Sequence, residues 1–287
     1  RVAAVNAVSD LWAKGVAPRF ALAQVTVTDD EPARAEETLY QVMAGARAAL
    51  DADGVTLVGG HTTTGPELVV GFAVWGLADS RDALIRIGGL SAGDQLVLTK
   101  PLGTGVLLQA DMRGLARGAW IEACDASMLR SNRHAARAAG PLRLSAGTDV
   151  TGFGLAGHLG SMLRASKAAA RLDLDALPAL PGALSLLGRG VRSTAHPENA
   201  KARRAMWVEP AAARHPALDL LFDPQTSGGL LLGLPAERGD ALLAAVRAAG
   251  DPAAAVIGVV GPPRRDGALI EVVATGPAPA ARRAATG

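Results

Sequence analysis

Apolar residues recur at Val2, Val5, Val8, Leu11 and Trp12, the three- and four-residue spacing of a helix buried on one face. The spacing predicts a helix over residues 2–14. A β-rich run over 20–27 (FALAQVTV) predicts a strand, and Leu39, Val42, Met43, Ala46, Ala49 and Leu50 then restore the helical period until Asp53-Gly54 stops it. Residues 55–58 read as a short strand entering a turn at Gly59-Gly60-His61-Thr62-Thr63, and 68–75 as a longer strand. This order argues for an α+β unit rather than a repeating parallel α/β fold.

A charged and then glycine-rich stretch, DSRDALIRIGGLSA at 79–92, separates this block from the next, with the boundary expected near residue 86. The second block opens with a strand at 95–99, a turn from Lys100 to Gly105 and a helix from Val106. Further strands are expected at 170–174, 229–234 and 254–260, and helices at 124–138, 153–165 and 236–249. The chain is thus expected to hold two α+β domains, 1–86 and 87–275, with a disordered tail at 276–287 (PAPAARRAATG and the residue before it).

Composition narrows the class. Of 287 residues, 49% are hydrophobic and 20% charged, enough to bury a sizeable core. A formal charge of +2, with arginine pairs scattered at 203–204, 264–265 and 282–283, argues against a nucleic-acid footprint. No apolar run approaches the ~20 residues that span a bilayer, so no membrane association is expected. Cys124 stands alone, which excludes an internal disulfide and fits a reducing, cytoplasmic setting. Its helical surroundings mark it as a buried small hydrophobe. The first residue is not Met and the helical period is already running, so the chain is expected to open inside an element of a longer sequence.

Several segments carry candidate chemistry. In TDVTGFGLAGHL, Asp149 precedes a glycine-punctuated turn into a helical pattern. It could ligate Mg²⁺ beside a phosphate held by backbone N–H groups, or it could cap the helix. Asp10 lies on an otherwise apolar helix, either as a paired or metal-bound acid or as an ordinary surface one. Gly60, His61 and Thr62 could contact a phosphate, or Gly59-Gly60 could simply be a turn. Lys100 leads a glycine-rich turn without Walker spacing, and a surface lysine is the default there. DPQTSGGLLL at 223–232 offers many small hydrogen-bonding groups whose use could be wholly structural, as in an Asx turn at Asp223.

Taken in order, NAVSDLWA (6–13), LVGGHT (57–62), GFAVWG (71–76), LTKPLGTGVL (98–107), TDVTGFGLAGHL (148–159), LDLDALPALPGA (172–183) and DPQTSGGLLL (223–232) resemble the selenophosphate synthetase (selenide, water dikinase) family. That family lies within the aminoimidazole ribonucleotide synthetase-like superfamily. The resemblance implies an N-terminal α+β domain that forms a homodimer through its strands and a C-terminal α+β domain folded over the nucleotide. It implies that ATP, hydrogen selenide and water give selenophosphate, AMP and orthophosphate, with Mg²⁺ required and K⁺ helpful. Position by position, Asp10 matches a carboxylate that binds Mg²⁺ and ATP, Asp149 matches another Mg²⁺ ligand, and Gly60, His61 and Thr62 match a segment contacting ATP from the partner subunit.

The departures are specific. The resemblance implies a Cys or selenocysteine nucleophile and a nearby Lys, both expected upstream of residue 1, so no catalytic residue is assigned within the chain and the isolated fragment is expected to be inactive. STAHPENAKARR at 193–204 departs from the family's Gly-Gly-Thr turn, and Asn199 receives no role. Two alternatives stay open: another ATP-using enzyme of the superfamily, and a non-catalytic nucleotide-binding module.

Overall fold

A computed structural model describes residues 1–28 and 31–275 of the chain. The expected tail at 276–287 lies outside the described residues. Among the described residues the architecture is α+β, with one three-stranded and one seven-stranded sheet.

The first sheet grows from helix α1 (Val2–Trp12), strand β1 (Pro18–Val27), helix α2 (Pro32–Asp53), and strands β2 (Thr56–Thr64) and β3 (Val69–Gly76). Its order is β2-β1-β3, with β2 parallel and β3 antiparallel to β1. In β1, Ala21, Ala23, Val25 and Val27 are buried while Leu22 and Gln24 face outward, the period-2 alternation of a sheet covered on one side.

The expected turn at Gly59 to Thr63 is instead the middle of β2. Pairing runs on from Gly59 to Thr64 after a bulge between Ala21 and Leu22 of β1. A Cβ on Gly60 would lie 2.0 Å from the Ala23 carbonyl oxygen, so glycine here serves close strand approach rather than chain reversal.

The second sheet has the order β5-β8-β4-β9-β6-β10-β7. Its strands are β4 (Asp94–Leu98), β5 (Ala146–Asp149), β6 (Ala169–Asp173), β7 (Met206–Val208), β8 (Leu230–Pro235), β9 (Ala255–Gly261) and β10 (Ile270–Val273). Side-chain alternation sorts the central strands between two apolar layers. Leu96, Leu98 and Leu231 join one core, together with residues of α3 (Thr104–Met112), α4 (Gly118–Leu129), α6 (Gly154–Ser166) and α7 (Ala183–Gly188). Val97, Leu230, Leu232 and Leu234 face the other way. They pack with Ala135, Ala136 and Ala139 of α5 (Arg133–Ala139), Leu242 and Val246 of α9 (Gly239–Ala248), and Ala4, Val8 and Trp12 of α1. A short helix, α8 (His196–Asn199), completes the set.

Helix α1 therefore lies between the sheets, with α2 and β3 on one side and α4, α5 and β5 on the other. Its indole, Trp12 Nε1, donates to Asp53 Oδ2 at 2.9 Å, and Ser131 Oγ donates to the same oxygen at 2.7 Å. These bonds satisfy the buried Asp53 carboxylate and tie the end of α2 to both α1 and the start of α5.

The helix expected over 124–138 is two helices. The chain turns out at 130–132, where Ser131 Oγ accepts from Arg133 N at 3.1 Å and Asn132 points inward. A Ser-Asn pair inside a helical period competes for backbone bonds, which is the physical reason for the break.

Candidate active site

Three segments meet the polar residues of α1: the end of β5, the loop 223–229 and the α4–α5 break, the last two joined by Lys100. Asp149 is the last residue of β5 and is buried. It does not cap α6, whose N-cap is Phe153 with no side-chain bond, so the capping reading is excluded. Instead Asp149 Oδ2 accepts from Ser9 Oγ at 3.0 Å.

Asp10 is the next residue of α1, and it feels Asp149. Although its side chain reaches solvent, packed surroundings are the largest influence lifting its carboxyl above the ordinary 3.8, the charge of Asp149 adds to the rise, and Lys14 opposes it. Asp10 adjoins Ser9, whose hydroxyl bonds Asp149, so the two acids on which the metal reading rests lie at one junction of α1 with β5. Lys14 Nζ donates to Gly147 O at 3.0 Å; burial lowers its pKa while Asp149 and Asp10 raise it.

On the far side of the turn, Thr151 N donates to His158 Nε2 at 3.0 Å. That nitrogen must be unprotonated to accept, and burial holds the imidazole below its ordinary pKa of 6.5.

The loop DPQTSGG works as a clamp. Asp223 Oδ2 accepts from Gly105 N at 3.1 Å, and Gln225 Oε1 accepts from Gly103 N at 3.1 Å and Thr104 N at 3.3 Å. Together they satisfy the free N–H groups that open α3. The two glycines admit backbone: a Cβ on Gly228 would sit 2.1 Å from Val150 O, and one on Gly229 would sit 2.5 Å from Lys100 N. Ser227 just before them adopts φ +50, its N–H bonded to Asn6 Oδ1 at 3.2 Å and its Oγ to Met128 O at 2.7 Å.

Lys100 is not the expected surface lysine. It is 1% exposed, and its ammonium donates to the carbonyls of Arg130 and Ser227, so it fastens the α4–α5 break to the clamp; burial pulls its pKa down to about 8. Asn199 donates to Gly152 O at 2.8 Å and Phe222 O at 3.1 Å, pinning the two glycine loops together. Cys124 is fully buried, and burial pushes its thiol up to about 12, as expected of a packing residue.

Gly60, His61 and Thr62 stand elsewhere, on the edge strand β2. His61 lines a cavity of about 650 Å³ on the open face of the small sheet with Leu22, Gln24 and Phe72, and neither acid lines it. Among the described residues no side-chain hydrogen bond or ion pair joins Gly60, His61 or Thr62 to Asp10 or Asp149.

The donor set decides what cation fits. Among the described residues no three His, Cys, Asp or Glu side chains form a metal cage. Two carboxylates beside glycine turns suit Mg²⁺, which keeps several waters and binds through one or two carboxylates plus substrate phosphates.

Residues 1–78 match the family model of the AIR synthase related protein N-terminal domain, and residues 91–271 match that of its C-terminal domain. Selenide, water dikinase of Nitratidesulfovibrio vulgaris is 40% identical over 264 residues, covering 88% of this chain and 72% of that protein. The Pelobacter propionicus enzyme of the same name is 38% identical over 263 residues, covering 91% and 74%. The chain belongs to the selenide, water dikinase family. Its fold is also that of E. coli HypE, a hydrogenase maturation protein, at a TM-score of 0.69 and 20% identity, with 91% of this chain and 73% of that one covered.

The sequence singled out Asp10 and Asp149; it did not single out Ser9, Lys14, Asn132 and His158, which the structure places around Asp149 and its turn. Ser9 directly precedes Asp10 in α1, Lys14 follows two residues past the end of that helix, and the Ser131-Asn132 pair was a visible interruption of a helical period. Those were the available signals.

Proposed function

We propose that the protein carrying this chain makes selenophosphate, AMP and orthophosphate from ATP, hydrogen selenide and water. The observation that supports it best is the meeting of Asp10, from α1, with the buried Asp149 at the end of β5, beside two backbone-dense glycine loops. Asp10 and Asp149 would hold Mg²⁺, which when bound offsets the charge on the triphosphate during phosphoryl transfer. The chain's own residues bind and orient. The clamp at 223–229 fixes the turn after Asp149 by close backbone contact, Asn199 locks that turn to the clamp, and Lys14 adds a partly desolvated cation beside the acids.

The same reading takes Gly60, His61 and Thr62 as a nucleotide contact delivered by a partner subunit. Exposed Leu22, Val58, Val69 and Trp75 on the small sheet support a homodimer through its strands. It also keeps the domain boundary near residue 86, supported by sheets that end at Gly76 and resume at Asp94. Among the described residues no helix is long and apolar enough to cross a membrane. A cytoplasmic setting completes the proposal, supported by the single, buried thiol.

The test is ³¹P NMR of the full-length protein with MgATP and selenide under anaerobic conditions. Selenophosphate with AMP is the expected product pair, lost in Asp149→Asn and Asp10→Asn. ADP as the nucleotide product, or no selenophosphate, overturns the proposal.

A further inference from the structure

Behind Asp149 lies a buried hydrogen-bond chain whose direction is fixed by chemistry. Asn132 Nδ2 donates to Gly228 O at 2.9 Å and to Ser9 Oγ at 2.9 Å, and Ser9 Oγ donates to Asp149 Oδ2 at 3.0 Å. A carbonyl oxygen can only accept, so the Asn132 amide must present its nitrogen to Gly228; the other N–H then points at Ser9. Ser9 has one hydrogen. With its oxygen accepting from Asn132, that hydrogen is committed to Asp149. Asn132 and Ser9 are each 1% exposed and Asp149 is 6% exposed. The Asn132 Oδ1 atom is buried without a partner among the described residues, so the amide is held by its donors alone.

We propose that Asn132 and Ser9 are positioning residues for the Asp149 carboxylate, setting its rotamer and engaging one oxygen so that the other is presented to a divalent cation. The proposal rests on Asp149 being a metal ligand. The relay is neutral for a physical reason. An Arg or Lys in the place of Ser9 would orient the carboxylate equally well but would cancel the charge the cation needs, whereas a hydroxyl orients it and leaves that charge intact. The three side chains come from α1, from the α4–α5 break and from the end of β5, so the relay also registers α1 against the second sheet. The helix break at 130–132 is what lets the Asn132 amide reach inward.

Mn²⁺ binding to the full-length protein, followed by electron paramagnetic resonance with a non-hydrolysable ATP analogue present, separates this role from simple packing. Ser9→Ala is expected to weaken Mn²⁺ about 10- to 100-fold. Asn132→Ala is expected to weaken it in the same direction by less, and the Mg²⁺ concentration for half-maximal activity should rise more than kcat falls. Ser9→Cys keeps the buried volume with a poorer donor and gives the same contrast should the alanine variant not fold. Unchanged Mn²⁺ affinity in folded Ser9→Ala or Ser9→Cys, alongside its loss in Asp149→Asn, overturns the relay and leaves the metal site standing. Unchanged affinity in Asp149→Asn overturns the metal reading itself, and the relay with it.

Discussion

Asp223 gives the sharpest test of the energetics. It is 0% exposed, one oxygen accepts from Gly105 N and Gln225 Nε2, and the other, Oδ1, is buried without a partner among the described residues. Burial pushes its pKa up to about 7; Gln225, the charge of His196 and backbone N–H groups oppose the rise without cancelling it. In the unfolded chain the same carboxyl titrates near 3.8. Between those values the native state binds a proton that the unfolded state has released, so stability falls as pH rises through the window and levels off above about 7. At about 1.4 kcal/mol per pH unit, the part of the window between about pH 5 and pH 8 costs about 2.5 kcal/mol. Asp223→Asn keeps an oxygen for Gly105 and removes the titration. Urea unfolding of both proteins across that range isolates the titration of Asp223 together with its coupling to His196, because titrating groups that do not interact with Asp223 are common to the pair and drop out of the difference. The wild type should lose about 2.5 kcal/mol relative to the variant from pH 5 to pH 8. Parallel stability curves would show that Asp223 is already charged at pH 5, and the burial argument would fail.

Gly228→Ala should destabilise by more than about 3 kcal/mol, because its Cβ would meet the Val150 carbonyl at 2.1 Å and backbone cannot step aside as a side chain can; a wild-type melting curve would refute the close-approach account. Cys124 should resist a thiol reagent at about pH 8 in the native protein and react at once in denaturant, and rapid native labelling would contradict its burial. Asn199→Ala removes two bonds that join the glycine loops and should cost about 1–2 kcal/mol in chemical denaturation. Chymotryptic cleavage after Phe153, which is 70% exposed, should accelerate in that variant, and equal rates would argue against the pin.

Local pattern was enough for the elements whose signal is repeated many times. The apolar stripe of α1 and the long period of α2 were readable because burial selects one face of a helix, and β8 was readable because both of its faces are buried, which leaves an unbroken apolar run. The short strands β5 (AGTD), β7 (MWV) and β10 (IEVV) were not, since three or four residues carry no measurable period and their pairing partners lie far along the chain. The Gly59-Gly60 pair misled for a related reason. Glycine marks a place where backbone must bend or be approached, and only the Ala23 carbonyl of the neighbouring strand decides that it was approach.

The same division runs through the site. Asp10 and Asp149 were visible as acids in glycine-rich or apolar settings, and the family was visible in the motifs around them. That Asp149 takes its bond from Ser9 rather than capping α6, that Lys100 is buried, and that Asn132 leaves a helix to complete a relay all depend on contacts between residues 96 to 140 positions apart. Sequence by itself determined helices α1 and α2 and the α+β class, and it singled out the two acids, because periodicity and residue chemistry are local properties. Tertiary structure alone decided which polar groups are buried together, because the energy of a buried hydrogen bond depends on a partner that no local window contains.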